Sequence, residues 1–334
     1  GFHWQRVIPA DFEGNFRVLR NPDGEWMTVC TLPLERYVAS VTASEMNPRA
    51  NIEFLKAHAV MSRSWVLGKI LACHQHGEEG KRRASDIVTD WEDTGDHDGF
   101  DVCSDDHCQR FQGMQHTAAT RAEEAVDETR GIILLDRDGN PADARFSKCC
   151  GGRTELFSTC WQDRELPYLT SHDDPWCDLS GLDAKELDEF LCATFRNYDK
   201  EAGASREWEA RVLKKDIARR LNVKYGIDCG EVTGMEAEER GPSGRIKRLL
   251  LHTAAGEFRI GKELAVRRLL SDDCLRSSLF ETEDMGDSWL LHGRGWGHGV
   301  GLCQTGAAMM ARAGKNVREI LGFYFPGAAI EKIY

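Results

Sequence analysis

Every second residue is glycine in one stretch near the carboxyl end of the chain, residues 292–301, which read HGRGWGHGVG. In an extended strand, successive side chains point to opposite faces of the sheet. The alternation therefore predicts a strand in which His292, Arg294, Trp296 and His298 share one face while the other face is bare backbone. A bare face allows another chain segment or a ligand to approach closely. No other feature of the sequence constrains the fold as strongly.

The predicted side-chain face of this run suits a glycan. Trp296 can stack on a sugar ring, and Arg294 and His298 can supply hydrogen bonds. The alternative is a glycine-rich loop that packs on a neighbouring strand, with Trp296 in the core. A dinucleotide-binding fingerprint is excluded, because no three glycines of the run have the spacing G-x-G-x-x-G.

Composition excludes some classes of partner. The 334 residues include 43 Lys and Arg against 55 Asp and Glu, which gives a formal net charge of −12. A protein that binds nucleic acid needs surplus positive charge for the phosphates, so we expect no nucleic-acid partner. A neutral polymer such as a glycan is not excluded. No run of about 18 apolar residues is present, so we expect no membrane span.

Helical and strand-like patterns follow one another without a regular β-α-β alternation, which predicts an α+β fold. We expect one domain over residues 1–334. Within it, residues 74–113 form a long polar loop, and residues 178–280 form a helical and then a β subregion. Short strands are predicted over 5–33 and 231–261, and a hairpin over 130–147. Helices are predicted over 34–46 and 52–71, then after the glycine run up to 314, and from 316 to about 324.

Glu45 is the first candidate catalytic residue. It lies in the last turn of the first predicted helix, just before Asn47-Pro48. The negative end of the helix dipole and the apolar neighbours both favour the protonated form of a carboxyl group at this position. A general acid that works near neutral pH needs that property. The alternative is a solvated glutamate at a helix end, which is the commoner case.

Two histidines and two cysteines lie within twelve residues in the pattern His97-x5-Cys103-x3-His107-Cys108. Four such ligands are enough for a closed, tetrahedral, structural zinc site that would clip the polar loop over 74–113. A Cys103–Cys108 disulfide, or free thiols beside two solvated histidines, are the alternatives. We expect no organic cofactor.

The remaining cysteines suggest weaker hypotheses. We interpret Cys73 with His74 and His76, and Cys149-Cys150 with Cys160, as non-ligands. Cys303 follows His298 closely and opens a predicted helix, where a thiol can have a lowered pKa. A cysteine protease is therefore a rival hypothesis, although the sequence around Cys303 lacks papain-type signatures.

Several ordered motifs together resemble the family of SpoIID (stage II sporulation protein D) and the amidase enhancers over nearly the whole chain. The motifs are Pro33-Leu-Glu-Arg-Tyr37, Ser44-Glu45-Met46, Leu55-Lys-Ala57, Ala59-Val-Met-Ser-Arg63, Phe146-Ser147 with Gly151-Gly152 and Thr154, Pro167-Tyr168-Leu169, Asp174-Pro175-Trp176, Gly244-Arg245, Leu275-Arg-Ser-Ser278, Gly293 to Gln304, Gly306-Ala307 and Tyr324-Phe-Pro-Gly327.

The resemblance implies a lytic transglycosylase that acts, in the cell envelope outside the cytoplasm, on peptidoglycan strands stripped of their stem peptides. It places the catalytic glutamate on Glu45 and a zinc site near His97, Cys103, His107 and Cys108. A signal or anchor is expected to be absent from this sequence, and a cell-wall amidase is a candidate partner. The groove residues expected to bind substrate are Arg294, Trp296, His298, Gln304, Ser147, Gly151, Gly152 and Arg63.

This sequence departs from the family pattern at Cys149, Cys150 and Cys303, where we expect Ser or Thr. The departure removes any role that needs a hydroxyl group at those positions. Two further functions stay open: a glycan-binding amidase enhancer without activity of its own, and a zinc amidase. Four candidate protein ligands argue against the amidase, because catalytic zinc normally keeps one position open.

Overall fold

The computed structural model describes residues 9–20, 24–72, 81–84, 86–91, 97, 99–105, 107–114, 120–196 and 207–334. The helices of these residues are α1 (Leu34–Glu45), α2 (Ile52–Ala72), α3 (Arg121–Glu128), α4 (Phe157–Cys160), α5 (Ala184–Thr194), α6 (Lys214–Tyr225), α7 (Glu263–Leu270), α8 (Gln304–Arg312) and α9 (Val317–Tyr324). A short 3₁₀ helix spans Pro175–Cys177.

The strands of the same residues are β1 (Asn15–Arg20), β2 (Trp26–Thr31), β3 (Lys81–Arg83), β4 (Ile87–Asp90), β5 (Ile132–Leu135), β6 (Phe146–Ser147), β7 (Glu207–Leu213), β8 (Val232–Arg240), β9 (Ile246–Thr253), β10 (Gly256–Gly261), β11 (Phe280–Asp284), β12 (Ser288–Arg294), β13 (Leu302–Cys303) and β14 (Ala329–Lys332). Most strand pairs are antiparallel. The predicted α+β class is confirmed.

The helical part of the molecule is built around α2. This helix packs against α1, α3, α8 and α9, and its apolar side chains, such as Phe54, Leu55 and Met61, are fully buried. Helix α1 begins after Pro33, whose extended backbone cannot continue a helix at that end. Almost every residue of α1 is buried, including Glu45 at its end. The burial of α1 therefore carries the glutamate into the interior.

A second core lies between a five-stranded sheet and two helices. The sheet has the order β3-β4-β10-β9-β8, and α6 and α7 pack on it. Alternate residues of β9, such as Leu249 and Leu251, point into this core. Strands β11, β12 and β7 form a separate antiparallel sheet that leads the chain into the glycine run.

One two-residue ladder positions the site. Strands β6 and β13 are parallel neighbours, with Phe146 opposite Leu302 and Ser147 opposite Cys303. The ladder joins segments that are more than a hundred residues apart in the sequence. It therefore places the residues after β6 beside the start of α8.

Only residues 292–294 of the glycine run lie in the predicted extended strand. Strand β12 ends at Arg294, and Gly295, Gly297, Gly299 and Gly301 all have positive φ angles, between 71° and 94°. A side chain at Gly297 would lie 2.9 Å from the Ser147 Cβ. Alternate glycines are therefore needed for left-handed backbone and for close packing, and the loop alternative describes residues 295–301 correctly.

Three smaller predictions also need correction. The expected hairpin over 130–147 is shortened to one antiparallel bridge between Leu135 and Pro141, flanked by backbone hydrogen bonds from the Asp136 N–H to the Asn140 oxygen and from the Ala142 N–H to the Leu134 oxygen. Strand β5 pairs along its length with β14 instead. The expected loop over 74–113 contributes β3 and β4 to a sheet. Strand β7 lies between α5 and α6 within 178–280, so helices do not all precede strands there.

Other predictions of secondary structure are confirmed. Strands β1 and β2 pair in antiparallel register. Helix α8 ends two residues before the predicted Gly314, and α9 follows its cap Asn316 and ends at Tyr324, as predicted. Among the helices of the described residues, none combines the length and the apolar character needed to span a bilayer. The single domain over 1–334 stays a prediction.

Candidate functional site

A cleft of about 580 Å³ lies where α1, the segment 105–110, strand β6 and the glycine run meet. Its lining is rich in basic side chains, namely Arg110, Arg145, Lys148, Arg267, Arg268 and Arg276. The carboxylates in the lining are Glu45, Asp105 and Asp273. This local excess of positive charge is notable because the whole chain carries a net charge of −12. The cleft is therefore suited to a ligand that bears negative charge.

Glu45 is the carboxyl group of the cleft best shielded from water. It is 7% exposed, whereas Asp105 is half-buried and Asp273 is exposed. The backbone N–H of Arg110 donates a hydrogen bond of 3.0 Å to Glu45 Oε1. That bond fixes one carboxyl oxygen.

The segment 109–113 is held against α1 by a row of contacts. The Tyr37 hydroxyl donates to Gln109 Oε1 at 3.3 Å, and the Ser40 hydroxyl donates to the backbone oxygen of Gly113 at 2.6 Å. The rings of Tyr37 and Phe111 stack with centroids 5.6 Å apart. Tyr37, Ser40 and Ser44 recur at helical spacing on one face of α1, and the Gln112 N–H donates to Ser44 Oγ at 3.1 Å. The segment therefore packs along α1 as far as the residue before Glu45.

The predicted zinc ligands come together just before that segment. The ligand atoms of His97, Cys103, His107 and Cys108 all lie within 4.8 Å of one another. His97 Nε2 is 3.1 Å from Cys108 Sγ, and His107 Nδ1 is 3.8 Å from Cys103 Sγ. Hydrogen bonds, first from Cys108 and then from the two imidazoles, lower the pKa of the Cys103 thiol. Two sulfurs and two nitrogens at these separations fit the closed tetrahedral shell of structural Zn²⁺.

Four of the predicted groove residues line the same cleft as Glu45: Ser147, Trp296, His298 and Gln304. The Ser147 hydroxyl is buried and has no hydrogen-bond partner among the described residues. A buried hydroxyl without a partner is costly unless a ligand or water satisfies it. Trp296 is half-buried, with Lys148 Nζ 5.0 Å and the Arg276 guanidinium 5.1 Å from its ring centroid. The cations therefore flank an aromatic surface.

His298 is a neutral imidazole that is fixed by backbone contacts. Burial, followed by the positive charges of Arg145 and Arg245, lowers its pKa well below the usual value. The Val300 N–H donates to His298 Nδ1 at 3.0 Å, so the ring proton lies on Nε2. The ring of Trp161 packs against the imidazole at a centroid distance of 4.9 Å. His298 therefore acts as a rigid part of the wall.

Gln304 begins α8 and is connected to a buried histidine. Its amide nitrogen donates to His58 Nε2 at 3.3 Å, and His58 Nδ1 in turn lies 3.3 Å from the Ser62 hydroxyl. Burial lowers the pKa of His58 to about 3. The chain of bonds links the cleft to α2.

The other predicted groove residues lie elsewhere. Arg294 is exposed at the end of β12, opposite Glu207, because the chain leaves the strand after it. Gly151 and Gly152 form a turn with positive φ, and Gly151 packs against Gly295 behind the cleft. Arg63 is fully buried, and its guanidinium donates to both carboxylate oxygens of Glu35, at 3.0 and 2.6 Å. The expectation that Arg63 contacts Glu45 or substrate is wrong.

Cys303 does not fit the role of a nucleophile. It is fully buried outside the cleft lining, and its sulfur accepts hydrogen bonds from the backbone of Cys150 and Gly306 at 3.3 and 3.4 Å. The structure contradicts the cysteine protease hypothesis. Cys73, His74 and His76 lie outside the described residues.

Sequence reasoning missed the basic groups of the cleft. Arg145 forms a bidentate ion pair with Asp143, and its guanidinium lies 4.1 Å from the ring centroid of Trp161. Arg276 lies two residues after Cys274, in a segment without a regular element. Arg276 stands in the motif Leu275-Arg-Ser-Ser278 of the family resemblance, but that motif gave no role for the arginine. For Arg145, the spacing Asp143-x-Arg145, which suits a local ion pair, was the available signal.

Two family models match the chain in separate segments. The model described as "Stage II sporulation protein" matches residues 22–135, and a model described as "Domain of unknown function (DUF8618)" matches residues 155–301. Stage II sporulation protein D of Bacillus subtilis is 29% identical over 91% of this chain and 76% of the relative. The resemblance to the SpoIID family is confirmed.

Two further relatives extend this comparison. Stage II sporulation protein D of Bacillus amyloliquefaciens is 27% identical over 91% of this chain and 76% of that protein. The amidase enhancer of Bacillus subtilis is 24% identical over 63% of this chain and 32% of its own length. The SpoIID segment contains Glu45 and the candidate zinc ligands, whereas the second segment contains Trp296 and His298. The cleft of this SpoIID relative therefore combines residues from both matched segments.

Proposed function

We propose that this SpoIID relative is a lytic transglycosylase that cleaves the bond between N-acetylmuramic acid and N-acetylglucosamine in peptidoglycan. The names of its relatives, stage II sporulation protein D and amidase enhancer, support a family-level role in cell-wall remodelling. The observation that carries the finer proposal is the shielded carboxyl group of Glu45 in the lining of a basic cleft.

Glu45 would act first as a general acid and then as a general base. Its proton goes to the glycosidic oxygen as that bond breaks, and an oxocarbenium-like sugar forms. The resulting carboxylate then accepts the proton of the C6 hydroxyl group of the same muramic acid while that oxygen attacks C1. The product is a 1,6-anhydro end. Because one carboxyl group performs both transfers, the mechanism needs no second carboxylate as nucleophile.

Trp296, Ser147 and Gln304 of the cleft lining would orient the sugar. Trp296 offers an aromatic surface for a sugar ring, and the Ser147 hydroxyl and the Gln304 amide offer hydrogen bonds to hydroxyl or acetamido groups. The basic lining supports strands without stem peptides as substrate. Removal of the peptide leaves a carboxylate on the lactyl group of each muramic acid, and Lys148 and Arg276 are placed beside Trp296 to attract that charge.

His97, Cys103, His107 and Cys108 would hold a structural zinc ion. Four protein ligands leave no open position on the metal, so its contribution is to fix the polypeptide. The chain from Cys108 reaches Arg110, whose N–H contacts Glu45. The metal would thus hold the hydrogen-bond donor of the catalytic residue in place. A zinc amidase is disfavoured for the same reason.

The proposal also covers location and partners. A peptidoglycan substrate places the protein outside the cytoplasm, in the cell envelope. A cell-wall amidase is the expected partner, because it produces the stripped strands that the basic cleft suits. We expect no nucleic-acid partner, because the net charge of −12 opposes binding to a long polyanion.

Mass spectrometry of products tests the activity. The protein is incubated with peptidoglycan that an amidase has stripped, and new chain ends are identified. Anhydro-muramic ends are the expected result. Reducing ends would mean a hydrolase, and no cleavage together with retained binding of the strands would favour a non-catalytic amidase enhancer. Either of these outcomes would overturn the proposal.

A further inference from the structure

Behind the cleft lies a second group of metal-ligand side chains, formed by Cys150, Asp174, Cys177 and Cys303. Their ligand atoms all lie within 4.8 Å of one another. Each residue is at most 1% exposed. The four come from three segments: Cys150 is the third residue after β6, Asp174 and Cys177 are the cap and the last residue of the 3₁₀ helix, and Cys303 is the N-cap of α8. We call them the buried group.

The separations within the buried group suit one metal ion. Cys303 Sγ lies 3.5 Å from Cys177 Sγ, and Cys150 Sγ lies 3.3 Å from Asp174 Oδ2. The cysteines of the group are not joined by disulfides. Zinc–sulfur bonds of about 2.3 Å at tetrahedral angles place two sulfurs roughly 3.8 Å apart, so a small outward movement completes the shell. An iron–sulfur cluster would need its ligands spread around several iron atoms.

We infer that Cys150, Cys177, Cys303 and Asp174 form a second, structural zinc site that holds the substrate-binding side of the cleft. Thiolate sulfur and carboxylate oxygen are both ligands that tetrahedral Zn²⁺ accepts, and the group offers three of the first and one of the second. Complete burial leaves no place for a substrate or an exchangeable water on the metal. The site is therefore structural.

Hydrogen bonds to the ligand atoms form the outer shell that such a site requires. The Tyr324 hydroxyl donates to Asp174 Oδ2 at 2.9 Å, and the Trp176 N–H donates to Oδ1 at 3.1 Å. Backbone N–H groups donate to two of the sulfurs: those of Cys150 and Gly306 to Cys303 Sγ, and that of Gly152 to Cys150 Sγ. These donors stabilise thiolates and a carboxylate in a site without solvent.

Positive charge is also present beside the group. Arg245 is fully buried and donates from Nη1 to the backbone oxygen of Cys150 at 3.0 Å. Cys303 is the N-cap of α8, so its sulfur lies at the positive end of that helix. Zn²⁺ neutralises half of the charge that three thiolates and one carboxylate carry. The guanidinium and the helix end offset part of the remainder.

The buried group adjoins two residues of the cleft lining, Ser147 and Gln304. Cys303 pairs with Ser147 across the β6–β13 ladder, and Gln304 is the next residue along the chain. A metal bound to Cys150 and Cys303 would fix both cleft residues from behind. A disulfide would compete with the metal at Cys177. Cys149 Sγ lies 3.3 Å from Cys177 Sγ, and oxidation of these two thiols to a disulfide would remove one zinc ligand.

Metal content measured on variants tests this inference without relying on catalytic activity. The protein is purified under reducing conditions, and zinc is counted by mass spectrometry. The double variant Cys150→Ser, Cys177→Ser is expected to carry one zinc fewer per chain than the wild type. Cys229→Ala, which removes a buried thiol outside the group, is expected to lose none. Equal zinc in the double variant and the wild type would overturn the inference.

If the double variant does not fold, X-ray absorption at the zinc edge tests the inference, because it reports the atoms that surround the metal. The variant Cys103→Ser, Cys108→Ser removes two ligands of the other candidate site and leaves the buried group intact. Its zinc is expected to have three sulfur neighbours and one oxygen neighbour. A variant without zinc, or a Cys149–Cys177 disulfide found by peptide mapping in the protein as purified, would contradict the proposed site.

Discussion

The two sides of the cleft differ in how they are built. On the acid side, Glu45 at the end of α1 is joined to the segment 103–114 by one hydrogen bond from the Arg110 N–H, across 65 residues of sequence. On the binding side, Trp296, His298 and Gln304 lie in or just after the glycine run, and backbone pairing of β6 with β13 brings Ser147 to them. Each side is backed by its own cysteine cluster. That of the acid side is largely half-buried, and that of the binding side is fully buried.

This difference indicates that the two sides of the cleft have different roles. The acid side presents a shielded carboxyl group that can move a proton, whereas the binding side presents an aromatic ring, amide and hydroxyl groups, and nearby cations. Changes on the acid side should therefore lower kcat, and changes on the binding side should raise KM. The following predictions test that division.

The largest effect is expected for Glu45→Gln. The amide keeps the size of the side chain but has no transferable proton, so we expect kcat to fall on the order of 10²–10⁴-fold. Strand binding should be retained. The measurement is the rate of anhydro-end formation on stripped peptidoglycan. Asp273→Asn, which changes an exposed carboxylate in the same lining, is the matched control and should keep wild-type activity.

Loss of the candidate zinc site on the acid side should have the next largest effect. In Cys103→Ser, Cys108→Ser, the segment that carries the Arg110 N–H loses its clip, and we expect kcat to fall roughly 10–100-fold. Zinc content should fall by one ion per chain. Cys192→Ser, on an exposed face of α5, should change neither quantity. Full activity in a zinc-depleted double variant would show that the loop needs no metal.

Substitutions on the binding side should act on KM. Trp296→Ala removes the stacking surface, and we expect KM for stripped strands to rise about tenfold, which corresponds to roughly 1.4 kcal/mol. Ser147→Ala removes one hydrogen bond and should raise KM by a smaller factor, because a typical bond contributes about 1 kcal/mol. Steady-state kinetics separates the parameters. A fall in kcat with constant KM would break the proposed division.

The smallest effect is expected in the pH dependence of folding stability, and it comes from His58, which accepts the hydrogen bond from Gln304. His58 has its pKa lowered to about 3 in the folded protein, whereas an unfolded histidine titrates near 6.5. Between these values the unfolded chain binds the extra proton, so stability falls as pH falls. From pH 6.5 to 5.5 we expect this residue to remove about 1 kcal/mol. Denaturant unfolding of wild type and His58→Gln should give a flatter pH profile for the variant.

Sequence patterns predicted what depends on neighbours along the chain. The position of Glu45 at a helix end follows from the apolar spacing before Asn47-Pro48, and the convergence of His97, Cys103, His107 and Cys108 follows from their short spacing. Helices α8 and α9 were predicted for the same reason. These features need no knowledge of the tertiary fold.

Features that depend on tertiary packing were not predictable. Arg63 was expected near Glu45, but a buried arginine needs a carboxylate partner, and the fold supplies Glu35. The glycine alternation was interpreted as a strand, although the glycines are set by contacts with Ser147, Arg145 and Arg245. The sequence indicates Cys150 as a non-ligand and does not predict the buried group, because the β6–β13 ladder and the 3₁₀ helix bring Cys150, Cys177 and Cys303 together from distant segments.

The most direct test of the central claim is cleavage in water labelled with oxygen-18. If Glu45 activates the C6 hydroxyl group of muramic acid, the new ends acquire no label, because water is not the acceptor. Wild type should therefore give unlabelled anhydro ends, and Glu45→Gln should give none. Oxygen-18 in the new ends would mean that water attacks the sugar, and it would contradict the transglycosylase mechanism.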